Sequence, residues 1–109
     1  LSELSEDDLV RILTEPKNAL VKQYKRMFEF EESELTFTDE SLRAIAREAL
    51  EHGTGARGLR SICERVLQNV MYDLPEHEGA STVVVRATDI TGETTPVIAS
   101  IPEQPEMSV

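Results

Sequence analysis

Hydrophobic residues recur at helical spacing in four segments of the chain. The clearest segment lies between Thr38 and Gly53, where apolar residues stand at positions i, i+3, i+4, i+7 and i+8. These residues are Leu42, Ile45, Ala46, Ala49 and Leu50. The longest segment begins near Ala56 and keeps one apolar stripe for about four turns, from Leu59 to Leu74. Both patterns predict amphipathic helices packed on a core.

The first two helices are predicted mainly from the residues at their ends. Ser5 and Asp8 have the spacing of a capping box, which satisfies backbone N–H groups at a helix start. The first helix should end before Pro16, because the residue ahead of a proline disfavours helical geometry. Pro16 suits the first position of the second helix, where its missing N–H is not needed. The apolar face of that second helix is predicted to contain Leu20, Tyr24, Met27 and Phe28.

Short runs rich in β-branched and aromatic residues predict a small sheet. Residues 35–37 alternate in polarity and precede Thr38, which is suited to cap the third helix. Residues 82–86 and 97–99 form two further candidate strands after the fourth helix. We therefore predict an α+β domain over residues 1–100, with four helices and two or three strands. Residues 101–109 are predicted to form a flexible acidic tail.

Composition and charge narrow the classes of protein to consider. The chain has 109 residues, of which 39% are hydrophobic and 29% charged, as in an ordinary soluble globular domain. Its formal net charge of -10 argues against a nucleic-acid partner, because most of the surface would repel phosphates. Cys63 is the single cysteine, which excludes an intrachain disulfide and fits a reducing cytosol. No apolar run approaches the roughly 20 residues of a membrane span, so no membrane is expected.

The most distinctive local motif is the turn Gly53-Thr54-Gly55-Ala56-Arg57-Gly58. It has the spelling of the dinucleotide fingerprint G-x-G-x-x-G, but that fingerprint follows a strand, and here a helix precedes it. A P-loop is excluded because no Lys-Ser or Lys-Thr pair follows Gly58. Arg57 lies where the helix end is partly positive, which is unfavourable by up to about 1 kcal/mol. Two interpretations stay open: an anion site centred on Arg57, or a solvated arginine beside a glycine-rich cap.

The neighbouring polar residues are weaker candidates for chemistry. Ser61 and Glu64 fall on roughly the same line of the helix as Arg57, so Glu64 could orient that arginine. Glu64 could instead pair with Arg60, four residues earlier in the chain. For Arg60 and Arg65 a solvated charged face is the favoured interpretation.

No other residue set makes a self-sufficient active site. His52 and His77 are isolated in the sequence, and Cys63 lies on the apolar stripe, so no metal-ligand spacing exists. Cys63 is expected to be a buried core residue and not a nucleophile.

Two longer motifs resemble the C-terminal small domain of ClpX-type AAA+ unfoldases. Residues 12–24 read ILTEPKNALVKQY and resemble the opening of that domain. Residues 54–62 read TGARGLRSI and resemble its sensor 2 motif, and the junction at residues 37–40 lies between the two motifs as in that family. The resemblance covers residues 1–74 well and the following residues in outline only. HslU, a more distant relative, shares the Gly-Ala-Arg turn but resembles the first motif less.

The resemblance implies a fold and a nucleotide-sensing role. The fold would be the four-helix small, or lid, domain of an AAA+ protein. Arg57 would be the sensor 2 arginine, which reaches the phosphates of a nucleotide held by the large AAA+ domain of the same chain. Gly55, Ala56 and Gly58 would shape its turn. ATP or ADP with Mg would bind the full-length protein, and this segment alone is expected to bind no cofactor, to contain no catalytic residue and not to hydrolyse ATP.

The resemblance also implies partners. The small domain would contact its own large domain and a neighbouring ClpX subunit in a homohexameric ring in the bacterial cytoplasm. Through parts outside this chain, the ring would unfold protein substrates and deliver them to the ClpP peptidase. The alternative interpretation is an acidic protein-interaction module without a nucleotide role.

Overall fold

The computed structural model describes residues 4–15 and 20–101 and shows an α+β arrangement. The elements are α1 (Glu6–Thr14), α2 (Leu20–Glu29), β1 (Ser33–Phe37), α3 (Asp39–Glu51), α4 (Arg57–Asp73), β2 (Ser81–Val85), α5 (Ala87–Thr91) and β3 (Ile98–Ser100). A short 3-10 turn, Leu74–Glu76, follows α4. The predicted α+β class is confirmed.

The helix starts agree with the predicted caps. Ser5 Oγ accepts the backbone N–H of Asp8 at 3.1 Å, and Asp8 Oδ2 accepts the backbone N–H of Ser5 at 3.0 Å. Thr38 Oγ1 accepts the backbone N–H of Ser41 at 3.0 Å at the start of α3. Helix α1 ends at Thr14, in agreement with the prediction that it ends before Pro16. The prediction that Pro16 opens α2 lies outside the described residues, as does most of the predicted tail.

The three strands form one mixed sheet in the order β1-β2-β3. Strands β1 and β2 are parallel, with Ser33 opposite Ser81 and Phe37 opposite Val85, whereas β2 and β3 are antiparallel. A parallel pair needs a long crossover connection, and here α3 and α4 supply it. The turn between those two helices, which contains Arg57, therefore lies within this crossover.

One hydrophobic core joins the helices to a single face of the sheet. Alternate residues of β1 and β2 are buried, which is the expected pattern for strands covered on one side. The fully buried large side chains come from α1, α3, α4, β2 and neighbouring elements: Leu9, Leu13, Phe28, Ile45, Leu59, Leu67, Val83, Val85 and Ile90. Each aliphatic side chain of this kind contributes about 1.5–3 kcal/mol through burial.

The helix count differs from the prediction. The sequence predicted four helices, and α5 is a fifth α-helix within the described residues. This five-residue helix is too short to show a helical repeat in the sequence. Its buried Asp89 accepts the backbone N–H of Arg86 at 2.8 Å, and Ile90 enters the core. Contacts with the rest of the fold, more than its own sequence pattern, hold it in place.

Two residues predicted for apolar helix faces are exposed instead. Met27 is 49% exposed, and Val21 takes a buried position on α2 beside Leu20 and Tyr24. Leu50 is 39% exposed at the last turn of α3. Both lie at the edges of their apolar stripes, where helical spacing alone does not decide which side chain meets the core.

Candidate functional site

The turn between α3 and α4 is built from two glycines in left-handed backbone geometry. Gly53 has φ +70° and Gly55 has φ +58°. Residues other than glycine adopt this left-handed backbone conformation only at an energetic cost. The backbone N–H groups of Thr54 and Gly55 both donate to the carbonyl oxygen of Ala49, at 3.1 and 3.3 Å. This arrangement satisfies a terminal carbonyl of α3 and reverses the chain into α4. Because the turn joins two helices, the dinucleotide interpretation fails on context, as predicted.

The first turn of α4 uses its own backbone donors. Ala56 precedes the helix and supplies no side-chain cap. The N–H of Gly58 donates to the carbonyl of Gly55 at 3.0 Å, and that of Leu59 donates to the carbonyl of Ala56 at 3.2 Å. The helix end therefore offers fewer free N–H groups to an anion than an ordinary N-terminus does. The guanidinium of Arg57, the first residue of α4, carries the full positive charge at this position.

Arg57 is the first residue of α4, and its side chain is exposed. It forms no hydrogen bond or ion pair with any residue that the structure describes. Five other arginines do form ion pairs: Arg11, Arg43, Arg47, Arg65 and Arg86. Arg43, for example, contacts Glu6 and Asp7 of α1. The charge of Arg57 is thus available to an anion from outside the described residues.

Ser61 and Glu64 line an open groove between α2 and α4, together with Tyr24, Met27 and Arg60. In the described part of the chain no hydrogen bond joins Glu64 or Ser61 to Arg57, so their orienting role stays a prediction. Arg60 donates to Gln23 Oε1 at 3.2 Å and does not pair with Glu64. The groove is next to the candidate site but does not include Arg57 among its lining residues.

Arg65 has a structural role that the sequence did not reveal. Its guanidinium donates to both carboxylate oxygens of Glu48, at 2.6 and 3.3 Å, and to the carbonyl oxygen of Ile90 at 2.8 Å. These contacts tie α4 to α3 and α5. The Arg65 side chain is 51% exposed, as expected for the favoured interpretation of a solvated charged face. Its structural contacts were not predicted, because the partners are 17 and 25 residues away in the sequence.

The remaining candidates from the sequence show no arrangement for chemistry. Cys63 is completely buried, and burial raises the pKa of its thiol to about 12, so it is an unreactive core residue. Nε2 of His77 lies 3.1 Å from Ser100 Oγ, and His52 is exposed. Residues 4–15 and 20–101 hold no group of three or more His, Cys, Asp or Glu side chains placed to bind a metal ion. Within the same ranges, no helix has both the length and the apolar composition needed to cross a membrane.

Comparison with known protein families supports the assignment of this fold. The family model for the C-terminal, D2-small domain of ClpB protein matches residues 4–85, which run from the start of α1 to the end of β2. The chain belongs to this family of small domains. The match includes the glycine turn and Arg57, and it continues past residue 74 into β2.

Two relatives carry the name ClpX. The chain is 45% identical over 93 residues to the ATP-dependent Clp protease ATP-binding subunit ClpX 3 of Methylococcus capsulatus, an alignment that covers 85% of this chain and 21% of that protein. It is 41% identical over 85 residues to the subunit ClpX of Treponema denticola, covering 78% of this chain and 20% of that protein. The chain spans about a fifth of the length of the curated relatives it matches. The resemblance to the C-terminal small AAA+ domain of ClpX is confirmed.

Proposed function

We propose that the chain is the nucleotide-responsive small domain of an ATP-dependent protein unfoldase. In this proposal Arg57 contacts the phosphates of the ATP or ADP, with Mg, that the large AAA+ domain of the same subunit holds. The observation that carries the proposal is the exposed guanidinium at the start of α4, which has no partner among the described residues. Both relatives are named as ATP-binding subunits, which supports the choice of a nucleotide as the anion.

The chemistry of an arginine suits a polyphosphate. The guanidinium is planar, stays charged at every physiological pH and presents donors that match two phosphate oxygens at once. A hydrogen bond to a charged group contributes about 1.5–3 kcal/mol. Association with a free ligand costs an estimated 4–15 kcal/mol. Arg57 alone is therefore too weak to hold a nucleotide, and the large domain must supply the binding site and the catalytic residues.

The position of Arg57 links it mechanically to the rest of the domain. It begins a 17-residue helix whose buried face runs through the core. The glycine turn fixes this helix to α3, and Arg65 fixes it to α3 and α5. A contact between Arg57 and a phosphate would therefore move the small domain as one body about a hinge. In a homohexamer, we propose, this motion drives the unfolding of protein substrates that are delivered to ClpP.

The experiment that tests this function is the substitution of Arg57 by alanine in the full-length subunit. We expect ATP-driven unfolding of a tagged substrate to fall by about tenfold or more, because a contact worth 1.5–3 kcal/mol is removed. The matched control is Arg26→Ala, which removes an exposed arginine of α2 and should leave unfolding near the wild-type rate. Wild-type turnover in the Arg57→Ala subunit would remove Arg57 from the mechanism.

A further inference from the structure

Thr54 and Gly58 meet face to face where the glycine turn enters α4. We propose that this contact sets the direction of Arg57, which directly precedes Gly58 in the chain. The inference rests on the proposed function, because it concerns how Arg57 is aimed at a nucleotide. It assigns a role to Thr54, a residue to which neither the charge pattern nor the helical spacing gives one.

The contact leaves no room for a side chain at position 58. Gly58 is buried, and a Cβ added to it would lie 2.8 Å from Cβ of Thr54 and would overlap Thr54 Oγ1. Rotation about the Thr54 χ1 bond moves Oγ1 but leaves Cβ where it is, so a rotamer change cannot relieve the overlap. Any larger residue at position 58 must therefore displace backbone.

The Thr54 side of the contact is the fixed side. The backbone N–H of Thr54 and its Oγ1 both donate to the carbonyl oxygen of Ala49, at 3.1 and 3.3 Å, and the N–H of Gly55 donates to the same oxygen at 3.3 Å. Ala49 itself is completely buried in α3. Three donors hold the turn to a buried residue. A larger side chain at position 58 would therefore shift the backbone of the first turn of α4, which contains Arg57.

The direction of this first turn matters because nothing else in the described structure orients the Arg57 side chain. Its guanidinium has no hydrogen-bond partner among the described residues, so the backbone position decides where the side chain can reach. A misplacement of about 1 Å can reduce the rate of a reaction that depends on geometry by about 100-fold. Close packing of Gly58 on Thr54 therefore fixes the backbone position from which the Arg57 side chain extends.

The test compares the effect of Gly58→Ala in two backgrounds of the full-length subunit, with KM for ATP and kcat measured separately. With Thr54 present, we expect Gly58→Ala to reduce kcat/KM for ATP hydrolysis by about tenfold. In a Thr54→Gly background, which removes both atoms of the contact, the same substitution should cost less than about twofold. In a Thr54→Ala background, which keeps Cβ but not Oγ1, the cost should be intermediate. If Gly58→Ala alone fails to fold, the test is the comparison of the Thr54→Ala and Thr54→Gly backgrounds, where Gly58→Ala should cost more in the first than in the second.

A second cycle shows whether the contact acts through Arg57. If it does, Gly58→Ala adds less than about twofold to the loss already caused by Arg57→Ala. A full additional loss in that background would overturn the inference, as would wild-type kinetics for Gly58→Ala or an equal penalty with and without Thr54. Impaired Arg57→Ala together with normal Gly58→Ala overturns only the positioning role. Normal Arg57→Ala overturns the proposed function and the positioning role with it.

Discussion

At the scale of single residues, Ser5 and Asp8 exchange two hydrogen bonds that cap the start of α1. The backbone N–H of Ser5 is the largest cause that holds the pKa of Asp8 below its ordinary 3.8, and the Ser5 side chain and Arg11 lower it further. A carboxyl group with a lower pKa in the folded state stabilises the fold above its unfolded-state pKa. That stabilisation is lost as the pH falls through the folded-state pKa.

We predict that Asp8→Asn lowers the thermal unfolding midpoint of the chain at pH 7, and that the difference from wild type shrinks below about pH 4. Circular dichroism melts at pH 7, 5 and 3 measure this difference. Glu34→Gln is the control, since it removes an exposed carboxylate of β1 that has no ion-pair partner among the described residues. A difference for Asp8→Asn that stays constant over this pH range would contradict the capping account.

Around Arg57, the sequence predicted the turn but not the contacts that hold it. The spacing of the glycines is a local signal, so it was sufficient to place Arg57 at a helix start. The packing of Thr54 on Gly58 depends on backbone angles that no sequence pattern states. Helical spacing also suggested Glu64 as an orienting partner, but spacing does not determine rotamers, and this role stays a prediction.

At the scale of helices and strands, the elements marked by local signals could be predicted, and the features that depend on long-range contacts could not. Caps and apolar repeats identified α1, α3 and α4, because these signals lie within each element. The parallel pairing of β1 with β2 joins residues 48 apart, as in the hydrogen bond between Ser81 and Ser33, so the sequence left it open. Helix α5 was missed for the same reason, since Arg65 and the core hold it.

Helix α3 offers a matched pair of substitutions that tests the core. Ile45 and Leu50 both belonged to the predicted apolar face, but Ile45 is 0% exposed and Leu50 is 39% exposed. We predict that Ile45→Ala lowers the free energy of unfolding by about 2–5 kcal/mol, because it leaves a cavity. Leu50→Ala should cost less than about 1.5 kcal/mol, because its side chain is already partly in water. Urea denaturation measures both values, and equal losses would show that this core is wrongly described.

At the scale of the whole molecule, the distribution of charge separates one region from the rest. The chain carries a formal net charge of -10. Outside α2 and the first turns of α4, every described lysine or arginine forms an ion pair. Five described cations form no ion pair with another described residue: Lys22, Lys25, Arg26, Arg57 and Arg60. The positive charge that no described ion pair neutralises therefore lies on these two helices, and Arg57 is the part of it that stands at the glycine turn.

The isolated chain should nevertheless bind nucleotide very weakly. A single contact of about 1.5–3 kcal/mol is less than the 4.1 kcal/mol that corresponds to a Kd of 1 mM. We predict that the 109-residue chain binds Mg-ATP with a Kd above about 1 mM. A titration monitored by NMR chemical shifts measures this Kd. A micromolar Kd would mean that the chain contains a complete nucleotide site of its own.

The sequence upstream of this segment in its gene separates the two functions considered. A P-loop, with its Gly-rich turn and Lys-Ser or Lys-Thr pair, would supply the nucleotide site that Arg57 requires. An upstream region without a P-loop would favour an acidic protein-interaction module instead.

The measurement that tests the central claim most directly is an equilibrium titration of the full-length subunit with a fluorescent ATP analogue. The account predicts that Arg57→Ala raises the Kd by about 10- to 150-fold, the equivalent of one lost charge-assisted contact of 1.5–3 kcal/mol. Arg26→Ala, which removes the same group from α2, should stay within about twofold of wild type. A Kd for Arg57→Ala within about twofold of wild type would contradict the claim that this arginine contacts the nucleotide.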